Sequence, residues 1–541
     1  MSSWSAKCLA VRQVTQDSRG KRTPGIDGLA ALEPDERLAL VSRLSLDAKP
    51  QPVRRVWIPK PGTDEKRPLG IPTIHDRAVQ ALVKLALEPE WEARFEPNSY
   101  GFRPGRSCHD AVEAIFGAVC FQSKYVLDAD IAKCFDRIDH DALLAKLDTF
   151  PVVRRLVKGW LAAGVLDGDT LFPTTQGTPQ GGVISPLLAN VALHGLEEHL
   201  RSAFPTTRKV NGRRVLWKPH VIRYADDFVV LHQDREVIRQ CHRLAREWLA
   251  GLGLELKPSK TRLAHTLTDE GGGAGFQFLG FDVRQFPKGK YRSGRHAGRP
   301  LGFTTVIRPG KEKALHHSRR LAGVVRRMSA APQADLIAAL TPVIRGWSNY
   351  YRTAHSKRTF QKVDNLLFKA LRSWARRRHH TKGARWIVQK YWRMPTWTFG
   401  CRDGPTLPKH AATPIRRHVK VQGGRSPFDG DWVYWANRMG RYPGISCWLA
   451  MVIRRQEGRC HHCGQYLMPG SVLEVHHIGG RQGDGKLAAV HGHCHDRIHG
   501  PNSRPGCVDD SNEPTEEPDE AKVSRPVLKT TTPGDRRGEF N

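Results

Sequence analysis

Three aspartates provide the clearest chemical signal in this sequence. Asp226 and Asp227 are adjacent and stand between two apolar runs, and Asp130 follows another apolar run well upstream. Two divalent metals about 4 Å apart can clamp the attacking and leaving oxygens of an in-line phosphoryl displacement. Mg²⁺ prefers hard oxygen ligands and takes only a few of them from protein. Carboxylates converging from two strands would meet that need, so the pattern indicates a nucleotidyl-transfer site.

The flanking residues predict the elements that must position these carboxylates. Residues 221–222 and 228–231 indicate two strands, with residues 225–227 at or near the turn between them. Residues 125–127 form a third strand-like run just before Asp130. A hairpin tip projects short polar side chains outward and holds them firmly. An ordinary surface turn is the alternative interpretation, since Asp is a favoured turn residue.

Length and charge restrict the class of protein. At 541 residues the chain is too long for one core and predicts several domains. Its net charge of +33 predicts a polyanionic partner, and nucleic acid is favoured over a membrane surface because the basic residues are spread along the whole chain. The N-terminus lacks the apolar core of a signal peptide, and no apolar run reaches the roughly 18 residues that span a bilayer. We therefore expect a cytoplasmic protein without membrane contact, in which the 11 cysteines are free thiols or metal ligands.

The chain divides into segments of different character. Residues 54–283 alternate apolar strands with helical patterns, as in an α/β or α+β catalytic body, and residues 311–392 are predicted to be helical. A Pro-, Gly- and Thr-rich stretch at residues 396–427 predicts a linker. A Cys/His-rich module follows at residues 429–500. The polar tail, residues 506–541, should be disordered.

Aromatic residues are interleaved with basic residues in the helical segment. They are Trp347, Tyr350, Tyr351, Trp386, Tyr391 and Trp392. Rings and guanidinium groups stack on unpaired bases, so this pattern predicts an RNA-binding surface. A solvated helix face is the alternative interpretation of the basic positions.

The C-terminal module carries two groups of metal-ligating residues. Cys460 and Cys463 have the two-residue spacing of a zinc knuckle, and His491 and Cys494 supply a second half. These four residues predict a closed structural Zn²⁺ site, whose metal would contribute much of the folding energy of so small a module. Four more histidines lie nearby, namely His476, His477, His495 and His499. The last two are four positions apart and share one helix face. One structural zinc served by all the histidines is the alternative interpretation.

A series of motifs runs through the catalytic body in a fixed order. They are Arg67-Pro68-Leu69-Gly70-Ile71-Pro72, Asp76-Arg77-Ala78-Val79-Gln80, Ser99-Tyr100-Gly101-Phe102-Arg103-Pro104-Gly105-Arg106-Ser107, Asp128-Ala129-Asp130-Ile131-Ala132-Lys133-Cys134-Phe135-Asp136, Gln176-Gly177-Thr178-Pro179-Gln180-Gly181-Gly182-Val183-Ile184-Ser185-Pro186, Tyr224-Ala225-Asp226-Asp227, Leu256-Lys257-Pro258-Ser259-Lys260-Thr261 and Phe278-Leu279-Gly280-Phe281. This ordered set resembles the reverse transcriptases encoded by bacterial group II introns. It covers most of the chain, and the shared order makes it far more specific than any one motif.

The resemblance implies roles for individual residues. Asp130, Asp226 and Asp227 would hold the two Mg²⁺ ions of the polymerase. Phe135 stands where relatives carry an aromatic steric gate against the ribose 2′-OH, although core packing is the alternative for this ring. Further nucleotide-binding roles fall on Lys60 and Arg67 at the triphosphate, Gln180 and Gly181 at the nascent base pair, and Lys260 at the leaving pyrophosphate. For the three basic residues, a place on the ordinary charged surface is the alternative.

Two further regions share the resemblance. Arg345-Gly346-Trp347-Ser348-Asn349-Tyr350-Tyr351 is similar to part of the family's α-helical thumb, the maturase (X) domain. In relatives this region binds the intron RNA and stabilises its splicing-competent fold. Asp431-Trp432-Val433-Tyr434-Trp435 resembles the DNA-binding approach to the nuclease that ends many relatives.

The Cys/His module itself resembles the HNH nucleases of the ββα-metal class. By that resemblance His477 is the general base that activates water, a role suited to a side chain with a pKa near neutrality. The ligands of one divalent metal on the scissile phosphate would be His476, His495 and His499. Lys486 departs from the pattern, because relatives usually carry Asn there to prop the catalytic loop. That departure puts the efficiency of cleavage in doubt, not the fold.

The resemblance as a whole implies a multidomain α+β protein. It would have right-hand polymerase fingers and palm, an α-helical thumb and a small ββα-metal HNH module with a zinc knuckle. The expected boundaries are 1–120 for the N-terminal and fingers region, 121–300 for the palm, 301–395 for the thumb, 396–445 for the linker and DNA-binding region, 446–505 for the nuclease and 506–541 for the tail.

The implied function is that of a multifunctional intron-encoded protein. It would reverse-transcribe RNA, assist splicing of its own intron, and nick the second strand of a target DNA for target-primed reverse transcription and intron mobility (retrohoming). The implied partners are the intron RNA lariat, double-stranded target DNA and dNTPs, with the protein on the nucleoid when it acts on DNA. Two alternatives are a domesticated reverse transcriptase in defence or diversification, and an RNA-binding splicing factor with little polymerase activity. The HNH pattern argues against the first, and the three aspartates argue against the second.

Overall fold

The computed structural model of the protein describes residues 1–59, 66–178, 180–210, 212–289, 293–440, 445, 447–478 and 487–499. Lys60, Lys486 and the tail at 506–541, for which the sequence suggested a role or disorder, lie outside the described residues. The chain divides into two units. The first comprises Met1–Phe276, Pro287–Thr304 and Lys420–Asp431, and the second comprises Gln277–Phe286, Thr305–Val419 and Trp432–Asn541.

Helices and strands alternate along the first half of the chain, and helices dominate later. The α-helices are α1 (Trp4–Arg12), α2 (Pro34–Arg43), α3 (Ile74–Arg94), α4 (Cys108–Val119), α5 (Cys134–Arg137), α6 (His140–Leu147), α7 (Pro151–Ala162), α8 (Ser185–Leu193), α9 (Leu196–Ser202), α10 (Arg235–Ala250), α11 (Lys311–Arg327), α12 (Gln333–Tyr351), α13 (Lys357–Arg378), α14 (Ala384–Tyr391), α15 (Trp432–Met439), α16 (Cys447–Arg455) and α17 (Gly492–His499). The strands are β1 (Val53–Pro59), β2 (Lys66–Ile71), β3 (Tyr125–Asp130), β4 (Val165–Asp167), β5 (Thr170–Phe172), β6 (Thr207–Val210), β7 (Arg213–Leu216), β8 (His220–Tyr224), β9 (Asp227–His232), β10 (Arg262–His265), β11 (Phe276–Phe278), β12 (Phe281–Pro287), β13 (Arg295–His296), β14 (Arg299–Pro300), β15 (Phe303–Pro309), β16 (Trp392–Arg393), β17 (Thr398–Phe399), β18 (Leu473–His477) and β19 (Leu487–His491). The mixed α+β class expected from the sequence is confirmed.

A four-stranded antiparallel sheet, ordered β10–β3–β9–β8, is the centre of the first unit. The apolar run in β9 is fully buried, as expected for a strand covered on both faces. Helix α10 packs against β9 and β3, and its N-cap is Asp234, whose carboxylate accepts a hydrogen bond from the Glu236 N–H. The two strands and the intervening turn predicted around the paired aspartates are therefore confirmed.

A second four-stranded sheet in the same unit has the order β2–β1–β4–β5. β1 and β2 pair antiparallel, whereas β1 and β4 run parallel. Helix α3 follows β2, and its N-cap is Thr73, whose hydroxyl accepts a hydrogen bond from the Asp76 N–H. Most of the apolar side chains of α3 belong to one core that also contains residues of α6, α7, α8 and the central sheet. This core joins α3, α6, α7 and α8 to the central sheet within the first unit.

The smaller sheets follow local pairings. One has three strands in the order β11–β12–β15, and the two-stranded sheets are β6–β7, β13–β14, β16–β17 and β18–β19. The motif at residues 278–281 contains a turn between β11 and β12, in which Leu279 and Gly280 both adopt positive φ values.

One loop of the first unit lies with its backbone directly against β8. The Tyr100 N–H donates to the Arg223 carbonyl, and the Arg223 N–H donates to the Asn98 carbonyl, both at 2.9 Å. A Cβ built on Gly101 would lie only 2.3 Å from the Ala225 nitrogen. Only glycine allows this approach, so the loop and the turn after β8 are held as one piece.

A buried ion pair holds the same loop. Arg103 and Glu92 are 0% and 1% exposed at their side chains, and Arg103 Nη2 lies 2.9 Å from Glu92 Oε2. The guanidinium also donates to the carbonyls of Glu96 and Ser99. Because a buried charge is strongly unfavourable unless it is fully paired, this bonding fixes the loop conformation.

The stretch at residues 396–427, expected to be a linker, is packed in the part that belongs to the first unit. Val421 is buried, and its N–H donates to Asp110 Oδ1 at 2.7 Å. Arg106, itself buried, donates to the Arg425 carbonyl at 3.1 Å. The Pro- and Gly-rich composition correctly indicated irregular backbone. It did not reveal that buried side chains of the first unit bind this backbone.

Helices α11, α12 and α13 of the second unit surround a buried aromatic cluster. Trp347 stacks on His317 with ring centroids 4.4 Å apart and contacts Tyr351 and Phe360. Of the six aromatic residues predicted to bind RNA, all are buried except Trp386, which is 38% exposed. The prediction of an aromatic RNA-binding surface is wrong for the five buried rings, because helical spacing alone does not distinguish a ring in the core from one in solvent.

The C-terminal part of the second unit is small. Helices α15 and α16 precede the antiparallel hairpin of β18 and β19, and α17 follows directly. A separate core of buried residues joins α16 to this hairpin and α17. Among the described residues of both units, no helix is long and apolar enough to cross a membrane.

We predict that Gly101→Ala destabilises the protein, because the new methyl group must displace the turn at Ala225. The expected loss is about 1–3 kcal/mol in the free energy of unfolding, measured by chemical denaturation. Gly117→Ala is the matched control, since Gly117 lies in α4 with no atom within 4 Å of the added Cβ. It should leave stability unchanged or raise it by up to about 1 kcal/mol. Equal effects of the two substitutions would contradict the close approach.

Candidate functional site

The central sheet brings the three predicted carboxylates together. Asp130, the last residue of β3, is the direct cross-strand partner of Asp227, the first residue of β9. Asp226 lies in the turn that connects β8 to β9. Opposed residues of antiparallel strands have Cβ atoms about 4.5–5.5 Å apart. The spacing suits oxygen ligands of divalent metal ions, so the donor set fits Mg²⁺.

The turn that carries Asp226 is tight and strained. Ala225 has a φ of 56°, in the left-handed region that residues with a Cβ seldom adopt. Such a conformation costs on the order of 1 kcal/mol or more and persists only where surrounding contacts determine it. One such contact is the hydrogen bond from the Ile131 N–H to the Asp226 carbonyl, at 3.2 Å. The strain lies at the point where the acidic side chains meet.

Arg223 supports this turn and was missed by the sequence analysis. Its guanidinium is buried and donates to the Ala225 carbonyl at 3.2 Å and to Asn190 Oδ1 at 3.0 Å. Asn190 in turn donates to the Gly101 carbonyl at 2.8 Å. Burial lowers the pKa of Arg223 to about 10, which leaves it charged at neutral pH. An arginine inside the apolar run before the aspartates was the available sequence signal.

The electrostatics of the site favour a bound cation. Burial, followed by the charge of Asp130, raises the pKa of Asp226. Lys260 partly offsets the negative charge, since its Nζ lies 2.7 Å from Asp130 Oδ2. Arg67, in β2, also favours the ionised form of Asp226. A cation that binds between the carboxylates would relieve the repulsion that raises the pKa of Asp226.

Asp128 is a second carboxylate on the same face of β3, and no role was predicted for it. Burial raises its pKa to about 6, and Arg262 opposes this rise from 3.3 Å. Asp128 lies two positions before Asp130, and alternate residues of a strand share a face, so the two side chains lie on the same side of β3. Its ion pair with Arg262 partly offsets the negative charge that Asp128 adds beside Asp130.

The remaining nucleotide-binding candidates lie on two segments near the sheet. Phe135 is half-buried on α5 and contacts Phe102 edge-to-face, with centroids 5.8 Å apart. Gln180 donates through its side-chain amide to Asp136 Oδ1 at 3.0 Å. Gly181 has a φ of 123°, and a Cβ built on it would lie 2.7 Å from the Gly70 carbonyl oxygen. The contact with the backbone of β2 is therefore enough to require glycine at this position.

The two expected metal groups of the C-terminal module each come together in space. Ligand atoms of Cys460, Cys463, His491 and Cys494 all lie within 4.8 Å of one another. The same holds for His476, His495 and His499. His477 is not in this second group, because it is the next residue along β18 and so points to the opposite face from His476.

The Cys₃His group has dimensions that suit zinc. Cys463 Sγ and Cys494 Sγ lie 3.4 Å and 4.0 Å from His491 Nδ1. Tetrahedral zinc with ordinary bond lengths places sulfur and nitrogen ligands about 3.6 Å apart. The other ring nitrogen of His491 lies 3.3 Å from the Tyr466 carbonyl, which can accept its proton and leave Nδ1 free for a metal.

The histidine group has a carboxylate behind it that the sequence analysis missed. His476 Nδ1 lies 3.3 Å from His499 Nε2. Glu474 is buried, and its Oε2 lies 2.6 Å from His495 Nδ1. A carboxylate in this position fixes the tautomer and ring orientation of a metal-binding histidine. The available signal was the alternation along β18, which puts Glu474 on the same face as His476.

Comparison with known proteins identifies three matching regions. The family description "Reverse transcriptase (RNA-dependent DNA polymerase)" matches residues 58–283, which contain the three carboxylates. The "N-terminal domain of reverse transcriptase" matches residues 1–44, and the "Group II intron, maturase-specific domain" matches residues 315–392. These matched ranges end before the Cys/His groups.

Several curated proteins are similar to the chain. Protein YkfC of Escherichia coli K12 is 34% identical over 304 residues, which cover 50% of this chain and 77% of YkfC. Group II intron-encoded protein LtrA of Lactococcus lactis is 39% identical over 190 residues, or 34% of this chain and 31% of LtrA. An uncharacterised 91 kDa protein in the cob intron of Schizosaccharomyces pombe is 30% identical over 372 residues, or 57% of this chain and 44% of that protein. The chain thus spans less than half the length of the latter two.

We predict that Cys463→Ser weakens zinc binding by more than about 100-fold, because a thiolate ligand contributes more than the supporting groups whose loss costs 10–100-fold. Zinc affinity is measured by competition with a chromogenic chelator. Cys463 is exposed, so the substitution disturbs no packing. Cys401→Ser, at a half-buried cysteine outside both groups, is the control and should retain zinc. Full retention of zinc in Cys463→Ser would contradict the assignment.

Proposed function

The chain belongs to the group II intron reverse transcriptase/maturase family, and from this membership we propose that it copies RNA into DNA and assists the splicing of the intron that encodes it. The observation that carries the polymerase proposal is the cross-strand pairing of Asp130 with Asp227 beside the turn at Asp226. A surface turn alone would not need a third carboxylate opposite it on a different strand. Use of a divalent metal such as Mg²⁺ follows from the reverse transcriptase domain.

The residues of the site have separate tasks in this proposal. Asp130, Asp226 and Asp227 would hold two Mg²⁺ ions, which would stabilise the charge that develops on the transferring phosphoryl group. Lys260 forms an ion pair with Asp130 and stands close enough to contact the leaving pyrophosphate. Arg67 contributes positive charge for the triphosphate.

Substrate choice falls to the segments that flank the carboxylates. Phe135 extends from α5 and is held by the ring of Phe102, so it can act as a rigid wall against a ribose 2′-OH. Gln180 is fixed by Asp136 and lies next to Gly181, where the backbone is in contact with β2. We place the nascent base pair against this segment, and Lys60 remains a candidate triphosphate contact.

Helices α11, α12 and α13 of the second unit support the maturase part of the proposal. Its aromatic residues stabilise the core, so contact with RNA falls to the exposed basic side chains of α11 and α13, such as Arg319, Arg327, Arg372 and Arg376. Phosphate contacts of this kind dominate affinity for nucleic acid and require no aromatic surface. The intron RNA carries out the splicing chemistry, and the protein stabilises the active RNA fold.

The C-terminal hairpin and helix support a nuclease of the HNH type. β18, β19 and α17 supply the ββα order, with one metal held by the histidine group and a structural zinc held by the Cys₃His group. His477 would accept the proton of the attacking water, and its exposed side chain leaves it accessible to substrate. A nick in the second DNA strand would then supply the 3′-OH that primes cDNA synthesis and intron mobility.

We predict that Asp226→Ala combined with Asp227→Ala lowers primer extension by at least about 10³-fold, because metal binding supplies several kcal/mol of transition-state stabilisation. Splicing assistance, measured as ligated exon RNA in cells that carry the native flanking DNA, should be retained. Glu247→Ala, which removes an exposed carboxylate from α10, is the control and should keep both activities. Loss of splicing in a folded double variant would contradict this division of labour.

We predict that His477→Ala lowers nicking of target DNA by about 10²- to 10⁴-fold, the range expected for loss of a general base. The assay uses a supercoiled plasmid that carries the native flanking DNA. cDNA synthesis from a pre-nicked target should survive, because the polymerase carboxylates are untouched. His380→Ala, at an exposed histidine outside both metal groups, serves as the control. Persistent nicking in His477→Ala would rule out the assigned base.

A further inference from the structure

A basic hairpin in the first unit has no role in the proposed chemistry. Strands β6 and β7 form this isolated two-stranded ribbon between α9 and β8. Residues 207–218 contain five basic residues and no acidic one. The hairpin joins the end of β8 opposite the catalytic turn, and β8 alone spans roughly 13 Å at about 3.3 Å per residue. It is therefore a different surface from the carboxylate site.

The two faces of this ribbon differ in character. Val210 and Val215 are half-buried and pack against the core of the first unit. Side chains on neighbouring positions point to the other face, so Lys209 and Arg214 point away from the core and are exposed. Arg208 lies over the ring of the buried Trp217, at 4.7 Å from its centroid. The valines and this stacking contact fix the ribbon, and the outer face remains available.

The outer face contains a pairing that does not help the fold. Lys209 and Arg214 are direct cross-strand partners. Like charges directly opposite each other destabilise an antiparallel pair. Neither side chain forms an ion pair with any carboxylate in the part of the chain that the structure describes. A polyanion that bound both side chains would convert this repulsion into attraction.

We propose that the outer face of the β6–β7 hairpin binds the sugar–phosphate backbone of a structured RNA, away from the polymerase site. The inference rests on the proposed function, since it assigns a further contact surface for the RNA partner. Lys and Arg bind phosphate oxygens, Arg with two parallel hydrogen bonds. Double-stranded RNA is recognised mainly by shape and backbone contacts across its wide, shallow minor groove. A rigid ribbon with opposed basic side chains matches that mode of recognition.

The test is the salt dependence of RNA binding by the full-length protein. The probe is a fluorescein-labelled RNA hairpin with an uninterrupted stem, followed by fluorescence anisotropy. Each lost phosphate contact should reduce the slope of log affinity against log salt by about 0.7–0.9. Lys209→Gln with Arg214→Gln should therefore reduce the slope by about 1.4–1.8, which lessens the loss of affinity between about 50 and 200 mM salt by about tenfold.

The control variant is Arg243→Gln with Arg246→Gln, which removes the same charge from exposed positions of α10 in the same unit. Its salt slope should stay within experimental error of the wild type. Primer extension on a short primer–template should be unchanged in the hairpin variant, whose thermal stability should be equal or higher because a like-charge pair is removed. This combination of results supports the inference.

Three results would overturn it. Equal salt slopes for the hairpin variant and the wild type would show that the outer face does not bind RNA. A larger effect on a DNA duplex of the same sequence would assign the surface to DNA. Self-association of the variant in light scattering, with RNA binding unchanged, would show that the charges only protect edge strands from pairing. If the wild type extends primers and binds the probe in all three cases, the proposed function stands and only the hairpin inference fails.

Discussion

Like charges at a metal site must be held together by backbone that does not depend on the metal. Asp130, Asp226 and Asp227 repel one another, and burial adds to the cost of ionising Asp226. The strained turn at Ala225 stays in place because Arg223 binds its carbonyl. Without that support, the strain and the repulsion would both favour opening of the turn, so the polymerase proposal depends on this support.

The support reaches well beyond the turn. Gly101 lies against the Ala225 backbone, and Asn190 bonds both the Gly101 carbonyl and Arg223. The loop that contains Gly101 is fixed by the buried pair of Arg103 and Glu92. A position far from the acidic residues in sequence can thus control their geometry, which is why a methyl group at Gly101 is expected to matter.

In the C-terminal module, one helix carries ligands of both metal groups. Cys494, His495 and His499 all lie on α17, the first in the Cys₃His group and the other two in the histidine group. A metal in the first group would therefore also fix the helix that presents ligands of the second. This coupling suits a module with a small core, in which metal binding supplies part of the folding free energy.

The sequence predicted helices, strands and turns better than it predicted the burial and contacts of individual side chains. Apolar runs and paired aspartates located β8, β9 and their turn, because strand period and turn preference are local properties. The aromatic rings around Trp347 were assigned to the wrong environment, since their partners, such as His317, are distant in sequence. Arg223 and Glu474 were missed because their roles depend on the groups they contact, the Ala225 carbonyl and the His495 ring.

The most direct test of the central claim is anomalous diffraction at the manganese edge from crystals of the protein with Mn²⁺, an RNA template–DNA primer duplex and a non-hydrolysable dNTP. The account predicts manganese density bonded to carboxylate oxygens of Asp130, Asp226 and Asp227, at about 2.0–2.2 Å as for small divalent ions. Manganese bound to the nucleotide while these three carboxylates carry no metal would contradict it.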